Sequence, residues 1–466
     1  MSGLMQKNKA TIYGFASNGR SRNTSRERSA VQGHPSTNGT KRRIHYAWVV
    51  ACVTFVVLLV TAGIRATPGV LMVPLESEFG WSNASISGAI AVNIALFGLI
   101  GPFAASWMDR FGVRRMVLCA LALLAVAVGL TTQMHSLWQL MSLWGICVGS
   151  GTGVTAMVLA AVVASRWFET HRGLVLGILS AANATGQLLF LPTLASSAEA
   201  HGWRSVSVLV ASAALLVFVL VLALMRDEPS DIGLLPFGQT QQRDEKAPAS
   251  LRPMTALKQA SRSPAFWVLA GSFFICGAST SGLIGTHLIP ACHDYGISEV
   301  HAAGLLAMMG VFDILGTTLS GWLTDRFQSQ YLLVAYYLLR GMSLLFLPYA
   351  LAHDQGHLSW FAIFYGLDWV ATVPPTVKLA TECFGRENAG VIYGWIAAAH
   401  QLGASLAAGG AGFIRTYTGH YQSAFWISGA VCSLTGIAFL FTSKQLRERA
   451  FLENSGLALD VALRKV

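Results

Sequence analysis

The chain has 466 residues, 53% hydrophobic and only 12% charged, with a mean hydropathy of +0.53. A soluble domain carries about 25% charged residues, and no single soluble core hides so large an apolar fraction. Composition therefore excludes an ordinary soluble protein and points to a bilayer as the solvent. The formal net charge of +10 is concentrated at the start, where residues 1–44 hold nine basic residues (Lys7, Lys9, Arg20, Arg22, Arg26, Arg28, Lys41, Arg42, Arg43) against Glu27, 9 − 1 = +8. This tail is rich in Ser, Asn and Gly, which predicts disorder, and it is too polar for a secretory signal. A role at the membrane surface or in setting topology fits it better than nucleic-acid binding.

A spanning helix needs about 20 predominantly apolar residues. Twelve such segments follow the tail, near 46–74, 83–107, 115–133, 137–164, 172–197, 203–225, 264–290, 300–323, 330–350, 357–382, 389–414 and 422–442. The stretch 227–263, with several prolines and the run QTQQRDEK, is the long polar interruption. The expected architecture is an all-α membrane protein: a bundle of six helices over 45–226, a cytoplasmic linker over 227–263, a second bundle of six over 264–443, and a tail over 444–466. The seven cysteines (52, 119, 147, 276, 292, 383 and 432) lie mostly inside apolar runs without paired spacing. They imply neither a disulfide framework nor a metal site, and no cofactor is expected.

Placing the N-terminal tail inside puts Arg110, Arg114, Arg115, Arg166, Arg172, Arg226, Arg243, Lys246, Arg252, Lys258, Arg262, Arg326 and Arg386 on the same side. Only Arg204 and Arg415 then fall on the other. Thirteen against two follows the positive-inside rule, so both termini are expected in the cytoplasm. Two of the inside loops carry nearly the same signature. Asp-Arg-Phe occurs at 109–111 and again at 325–327, each time after the second helix of its half. Such duplication is a transporter architecture. A carboxylate beside a guanidinium in a short loop is suited to pairing with charges on the neighbouring bundle, as a latch.

These loops give the chain a resemblance to the major facilitator superfamily over residues 45–443. The family's loop motif is matched in part by Asp109, Arg110, Gly112, Arg114 and Arg115, with Ala105 at the leading glycine position. It is matched in part again by Gly321, Asp325 and Arg326. HYAWVV (45–50), SRWFETHRGLVLGI (165–178) and VFDILGTTLSG (311–321) resemble the branch of monocarboxylate and oxalate–formate carriers. In the monocarboxylate carriers, the eighth-helix Asp is followed four residues later by an Arg that binds the carboxylate. Asp313 matches, but position 317 is Thr. The glycine-proline signature of many drug antiporters is absent from 177–192, GILSAANATGQLLFLP.

Ionisable groups at bilayer depth cost about 2.5–3.5 kcal/mol each on insertion scales, so each calls for a task. Arg65 lies 17 residues after Trp48, which is about 26 Å along a helix. If the first helix faces the cavity, as the resemblance implies, Arg65 is the natural counter-ion for a carboxylate. The other reading is an arginine reaching the outer surface, because Pro68 and Pro74 could end the helix early. Asp313 and Asp368 are candidates for carrying a proton, or for bonding to a neighbouring helix. Asn93, Asn183, Gln187, His287, His400 and Gln401 complete the candidate substrate contacts, the histidines being equally suited to structural hydrogen bonds. Lys378 is expected to pair with Glu382 at i+4, and Arg340 to be structural.

No metalloprotease, nucleophile-elbow or phosphate-loop motif is present, so an enzyme is not expected. The expectation is a multi-pass protein of the plasma or bacterial inner membrane, a monomer without nucleic-acid partners. It would work by alternating access on a small, monocarboxylate-like organic anion coupled to protons. Proton-driven efflux of drugs or other metabolites is the alternative.

Overall fold

The computed structural model describes residues 45–239, 253–353 and 355–441, apart from the side chains of residues 183, 184, 187, 188, 355, 386 and 387. Both tails and part of the linker expected from the sequence thus lie outside the described residues. Nine described helices are long and apolar enough to cross a membrane: Tyr46–Phe79, Asn83–Phe111, Val113–Thr131, Leu137–Trp167, Trp203–Leu224, Pro264–Asp294, Glu299–Arg326, Ser329–Ala352 and Gln422–Phe441. Arg172–His201, Gln355–Asp368, Val373–Phe384 and Arg386–Thr418 are helical as well. Helices are what an apolar solvent demands, because they satisfy their own backbone N–H and C=O groups.

The Tyr46–Phe79 helix runs unbroken through Pro68 and Pro74 and ends at Gly80, which takes a positive φ of 65°. Arg65 therefore sits in mid-helix, not at an early end. The end of the molecule bearing Asp109 and Asp325 is the loop end here; the end bearing Gly80, Gly202 and Gly296 is the far end.

Two runs of small residues decide how closely helices approach the Asn83–Phe111 helix. From its own half, Gly149 and Gly153 of the Leu137–Trp167 helix lie where a Cβ would strike the backbone of Asn93 and of Phe97. From the other half, the Arg386–Thr418 helix presents Gly412, where a Cβ would strike Ser87 Oγ and come within 2.8 Å of the Asn83 carbonyl. Gly98 in turn faces the stem of Gln401, and Ser405 Oγ donates to the Ala91 carbonyl at 2.7 Å. The helices of the two halves thus meet at backbone contact, as small residues allow inside membranes.

Backbone groups released where helices are interrupted find side-chain partners. Residues 369–372 separate the Gln355–Asp368 and Val373–Phe384 helices. Asp313 Oδ1 accepts from the freed Val370 N–H at 3.1 Å and from Thr317 Oγ1 at 2.8 Å. Arg340 donates to the carbonyls of Asp368 and Trp369, and its Nε donates to Asp368 Oδ2 at 2.7 Å. Ser320 Oγ donates to the Ala371 carbonyl. Arg340 is fully buried and Asp368 nearly so, so this ion pair belongs to the interior of its own half. The reading of Arg340 as structural fits this geometry. Asp368, expected as a proton carrier, is a partner in that pair instead of a carboxylate standing alone.

This packing can be tested at the seam and at the buried pair. Gly412→Val should force the two halves apart at their seam and cost about 1–3 kcal/mol, read as a lower melting temperature in detergent. Arg340→Met leaves the Asp368 carboxylate and two carbonyls without their donor. It should cost about 3–5 kcal/mol, with Arg340→Lys losing less because the charge is kept; equal melting of all three proteins would refute the pairing.

Candidate functional site

Between the two halves lies a cavity of about 280 Å³. Leu58, Thr61 and Arg65 reach it from the Tyr46–Phe79 helix, at the helical spacing of i, i+3 and i+7. Phe97, Gly98, Gly101 and Pro102 come from the second helix, and Thr155 to Val158 from a break in the Leu137–Trp167 helix. The opposite wall is Tyr393, Ala397 and Gln401, at i, i+4 and i+8 on one face of the Arg386–Thr418 helix. Both halves therefore build the site.

A smaller cavity of about 90 Å³ continues toward the far end. It shares Arg65, Phe97 and Gln401 with the first and adds Asn93, Ser281, Thr286 and Trp369. The Arg65 guanidinium stands over the Phe97 ring, 4.6 Å from its centroid. Such a contact orients the planar fork and screens one face of it. Arg65 is thus placed on the dividing wall between two cavities, the position from which one cation can face either.

Helix irregularities adjoin these cavities, and one of them contributes Ser281 to the smaller. The segments Met141–Val148 and Ala278–Ile284 are wound as π-helix. In the first, Asn93 Nδ2 donates to the Trp144 carbonyl at 2.6 Å; in the second, Thr286 Oγ1 donates to the Ser281 carbonyl at 2.9 Å. Wide turns of this kind cluster at functional sites, because they release backbone groups that side chains can engage.

Of the expected substrate contacts, the structure brings Arg65, Asn93 and Gln401 together. His287 is fully buried and bonded to the Ala408 carbonyl and to Tyr421 at the far end, outside both cavities. His400 packs against the Phe273 ring, with centroids 4.9 Å apart, and lines neither cavity. Both placements correct the reading of these histidines as cavity residues. The side chains of Asn183 and Gln187 lie outside those described. Asp313 also lines neither cavity, since its carboxylate is turned to the helix break. Asp368 borders a different cleft, among Trp360, Phe364 and Leu319. Phe97 and Tyr393 do not stand out in the sequence. The i+4 step from Asn93 to Phe97 and the i+8 step from Tyr393 to Gln401 are the signals it offers for them.

The loop-end motif is organised within each half. Asp109 accepts from Arg166 Nη2 at 2.6 Å, and Arg166 also stands 3.6 Å from Glu228. Gly112 has φ 88°, and a Cβ there would meet the Asp227 carboxylate, which accepts from the Arg114 N–H at 2.7 Å. Arg115 is exposed, as are Arg110, Asp325 and Arg326. Arg326 covers the Trp322 ring at 3.9 Å, while Gly321 has open space where a Cβ would stand. Lys378, expected to pair with Glu382, donates to the Thr324 carbonyl beside Asp325. The latch anticipated between bundles is thus not the pairing made here: Asp109 is held by its own half. At the far end the bonds do cross, with Tyr421 to Asn83, the Ala84 N–H to Thr416 and the Val300 N–H to Glu199.

Known proteins share this organisation. The sequence profile of the Major Facilitator Superfamily matches residues 53–408. The chain is 27% identical to the MFS-type transporter YcxA of Bacillus subtilis, over 79% of this chain and 89% of that one. It is 26% identical to monocarboxylate transporter 13 of Rattus norvegicus, over 85% and 89%. A solved bacterial homolog of the human lysosomal transporter Spinster, inward-facing and unoccupied, shares the fold with a TM-score of 0.65. It is 15% identical, over 88% of this chain and 98% of that one. The chain belongs to the Major Facilitator Superfamily of transporters and is a multi-pass membrane protein.

Proposed function

We propose that the chain is a secondary active carrier with twelve spanning helices in two halves of six and both termini in the cytoplasm. It moves a small, monocarboxylate-like organic anion by alternating access, coupled to protons. The observation that carries this reading is Arg65, held over Phe97 in mid-membrane on the wall between two cavities that both halves line. A cation at that depth is costly, and a transported carboxylate arriving at its fork offsets the cost. The monocarboxylate transporters among the relatives support the substrate class. Thr317 stands where those carriers are expected to have an anion-binding Arg, which leaves Arg65 to supply the contact.

The far end is bonded across the halves while Asp109, Arg166 and Lys378 bond within theirs. With the loop end in the cytoplasm, this is the arrangement of a carrier closed to the outside. Asp313 is the proposed proton carrier. Its protonation would weaken the cap on the Val370 N–H and loosen the helix break behind Trp369, which lines the smaller cavity.

The test is uptake of labelled lactate, pyruvate, formate and oxalate into proteoliposomes, with and without an inward proton gradient. Arg65→Ala should lower anion uptake at least about 30-fold, the loss expected on truncating one partner of a buried charged contact, with Arg65→Lys intermediate. Asp313→Asn should keep anion exchange but lose its response to the gradient. No uptake of any anion by the folded protein would overturn the anion reading in favour of efflux of another class. For topology, alkaline phosphatase fused at the C-terminus should be inactive in cells and a fluorescent protein there bright.

A further inference from the structure

At the far end, five groups form one line from the C-terminal half to the N-terminal half. His287 Nε2 lies 2.7 Å from the Ala408 carbonyl oxygen, and its Nδ1 lies 3.2 Å from the Tyr421 hydroxyl. The hydroxyl is 2.7 Å from Asn83 Oδ1, and Asn83 Nδ2 is 2.6 Å from Glu76 Oε2. His287, Asn83 and Tyr421 are all buried, at 0%, 3% and 3% exposure. Water therefore does not supply missing hydrogens between His287, Tyr421 and Asn83, whereas Glu76 at the end of the line is only half-buried. Within that stretch the line can be counted proton by proton.

The Ala408 carbonyl only accepts, so Nε2 of His287 carries a hydrogen. If Glu76 is ionised, Asn83 turns its NH2 toward it and its oxygen toward Tyr421. Tyr421 then spends its single hydroxyl hydrogen on Asn83. The remaining contact, His287 to Tyr421, is a hydrogen bond only if Nδ1 is protonated too. Counting from the other end, a neutral His287 accepts the Tyr421 hydrogen. The amide must then turn over to donate to the hydroxyl oxygen, and Glu76 must carry a proton to donate to the amide oxygen. Both complete lines hold the same number of protons. That number is one more than neutral His287 with ionised Glu76, where two acceptors face each other without a hydrogen between them, a costly arrangement when buried.

We infer that the line Glu76–Asn83–Tyr421–His287 is a proton-binding site, and that the bound proton clasps the two halves together at the far end. Opening the far end separates Tyr421 from Asn83, so the proton is held by the closed state and released on opening. The other charged and titratable groups at this end are Asp294 with Arg415 at 2.8 Å, Glu78 with Arg204 at 2.7 Å, and His293 with Glu299 at 3.9 Å. Glu199, His135, His201, His301, His353, His357, His420, Tyr295, Tyr417 and buried Cys292 also lie at this end. The first two pairs are already matched acid to base and need no further proton. In transport, a proton taken from the far side would commit the carrier to the loop-end-open state. That consequence rests on the alternating-access reading above, whereas the closure itself does not.

The test reads distance, not transport. Nitroxides are attached at Ala200 and Tyr295, one in each half, through an unnatural ketone side chain that leaves the native cysteines in place. Spin–spin distances are then measured in nanodiscs from pH 4 to pH 9. The short-distance population should fall as pH rises, by up to about tenfold in its ratio to the long one per pH unit, the limit for one linked proton. Glu76→Gln should keep the short distance at every pH, because its amide can donate as the protonated carboxyl does. Tyr421→Phe, which cuts the line, should remove the pH response. A wild-type distance unchanged across the range overturns the inference without any variant, and so does Glu76→Gln titrating like wild type. If distances titrate as expected while no anion is carried, the clasp stands and the substrate reading fails. If anions are carried while distances ignore pH, the substrate reading stands and the clasp fails.

Discussion

The seam between the Asn83–Phe111 and Arg386–Thr418 helices is where two halves become one molecule. Gly412 lets the second helix press against Ser87 and the Asn83 backbone, and Gly98 makes room for Gln401. In a bilayer the lipid is as apolar as the side chains, so association depends on close packing and hydrogen bonds more than on a hydrophobic drive. The seam carries both, through its glycines and through Ser405 donating to Ala91. Because this contact is tight at the far end, Asn83 reaches Tyr421. Nearer the loop end the same two helices diverge around a cavity, where Phe103 meets only the edge of Trp395.

The apolar solvent imposes a second constraint: every interruption of a helix must find partners for the groups it frees. The break at 369–372 recruits Asp313, Arg340 and Ser320. The π-helical turns recruit Asn93 and Thr286. Charged residues that stand out in so apolar a sequence therefore divide by task. Arg340 and Asp368 hold a fold irregularity in place and lie in the interior of one half. Arg65 lines both cavities that the two halves share, with an aromatic face beneath it.

The two Asp-Arg-Phe loops have diverged in their surroundings. The first is tied down through Arg166 and Asp227, with Gly112 required by its positive φ and by the carboxylate that sits where a Cβ would be. The second keeps an exposed Asp325, and its neighbouring carbonyl takes Lys378. A duplicated loop thus serves different contacts in each half, and in the conformation described each serves its own half. The halves bond to each other at the far end and along the helix seam, through polar residues that no motif marks.

Composition and the spacing of apolar runs were enough to determine the solvent, the helical class and the approximate span of nine of the described helices, because a bilayer tolerates little else. The position of Arg65 along its helix was legible for the same reason, being a matter of counting residues along a helix that its prolines do not break. The site was legible only in part. Arg65, Asn93 and Gln401 come together, but Phe97 and Tyr393 carry no mark in the sequence, and the histidines belong elsewhere. Sequence spacing places a residue on one face of its own helix, whereas the neighbour that face meets depends on how helices cross, which glycines several turns away decide. Asp313 shows the limit. Its place along its helix follows from the chain, but the freed N–H of Val370 that it caps is brought to it by tertiary packing alone.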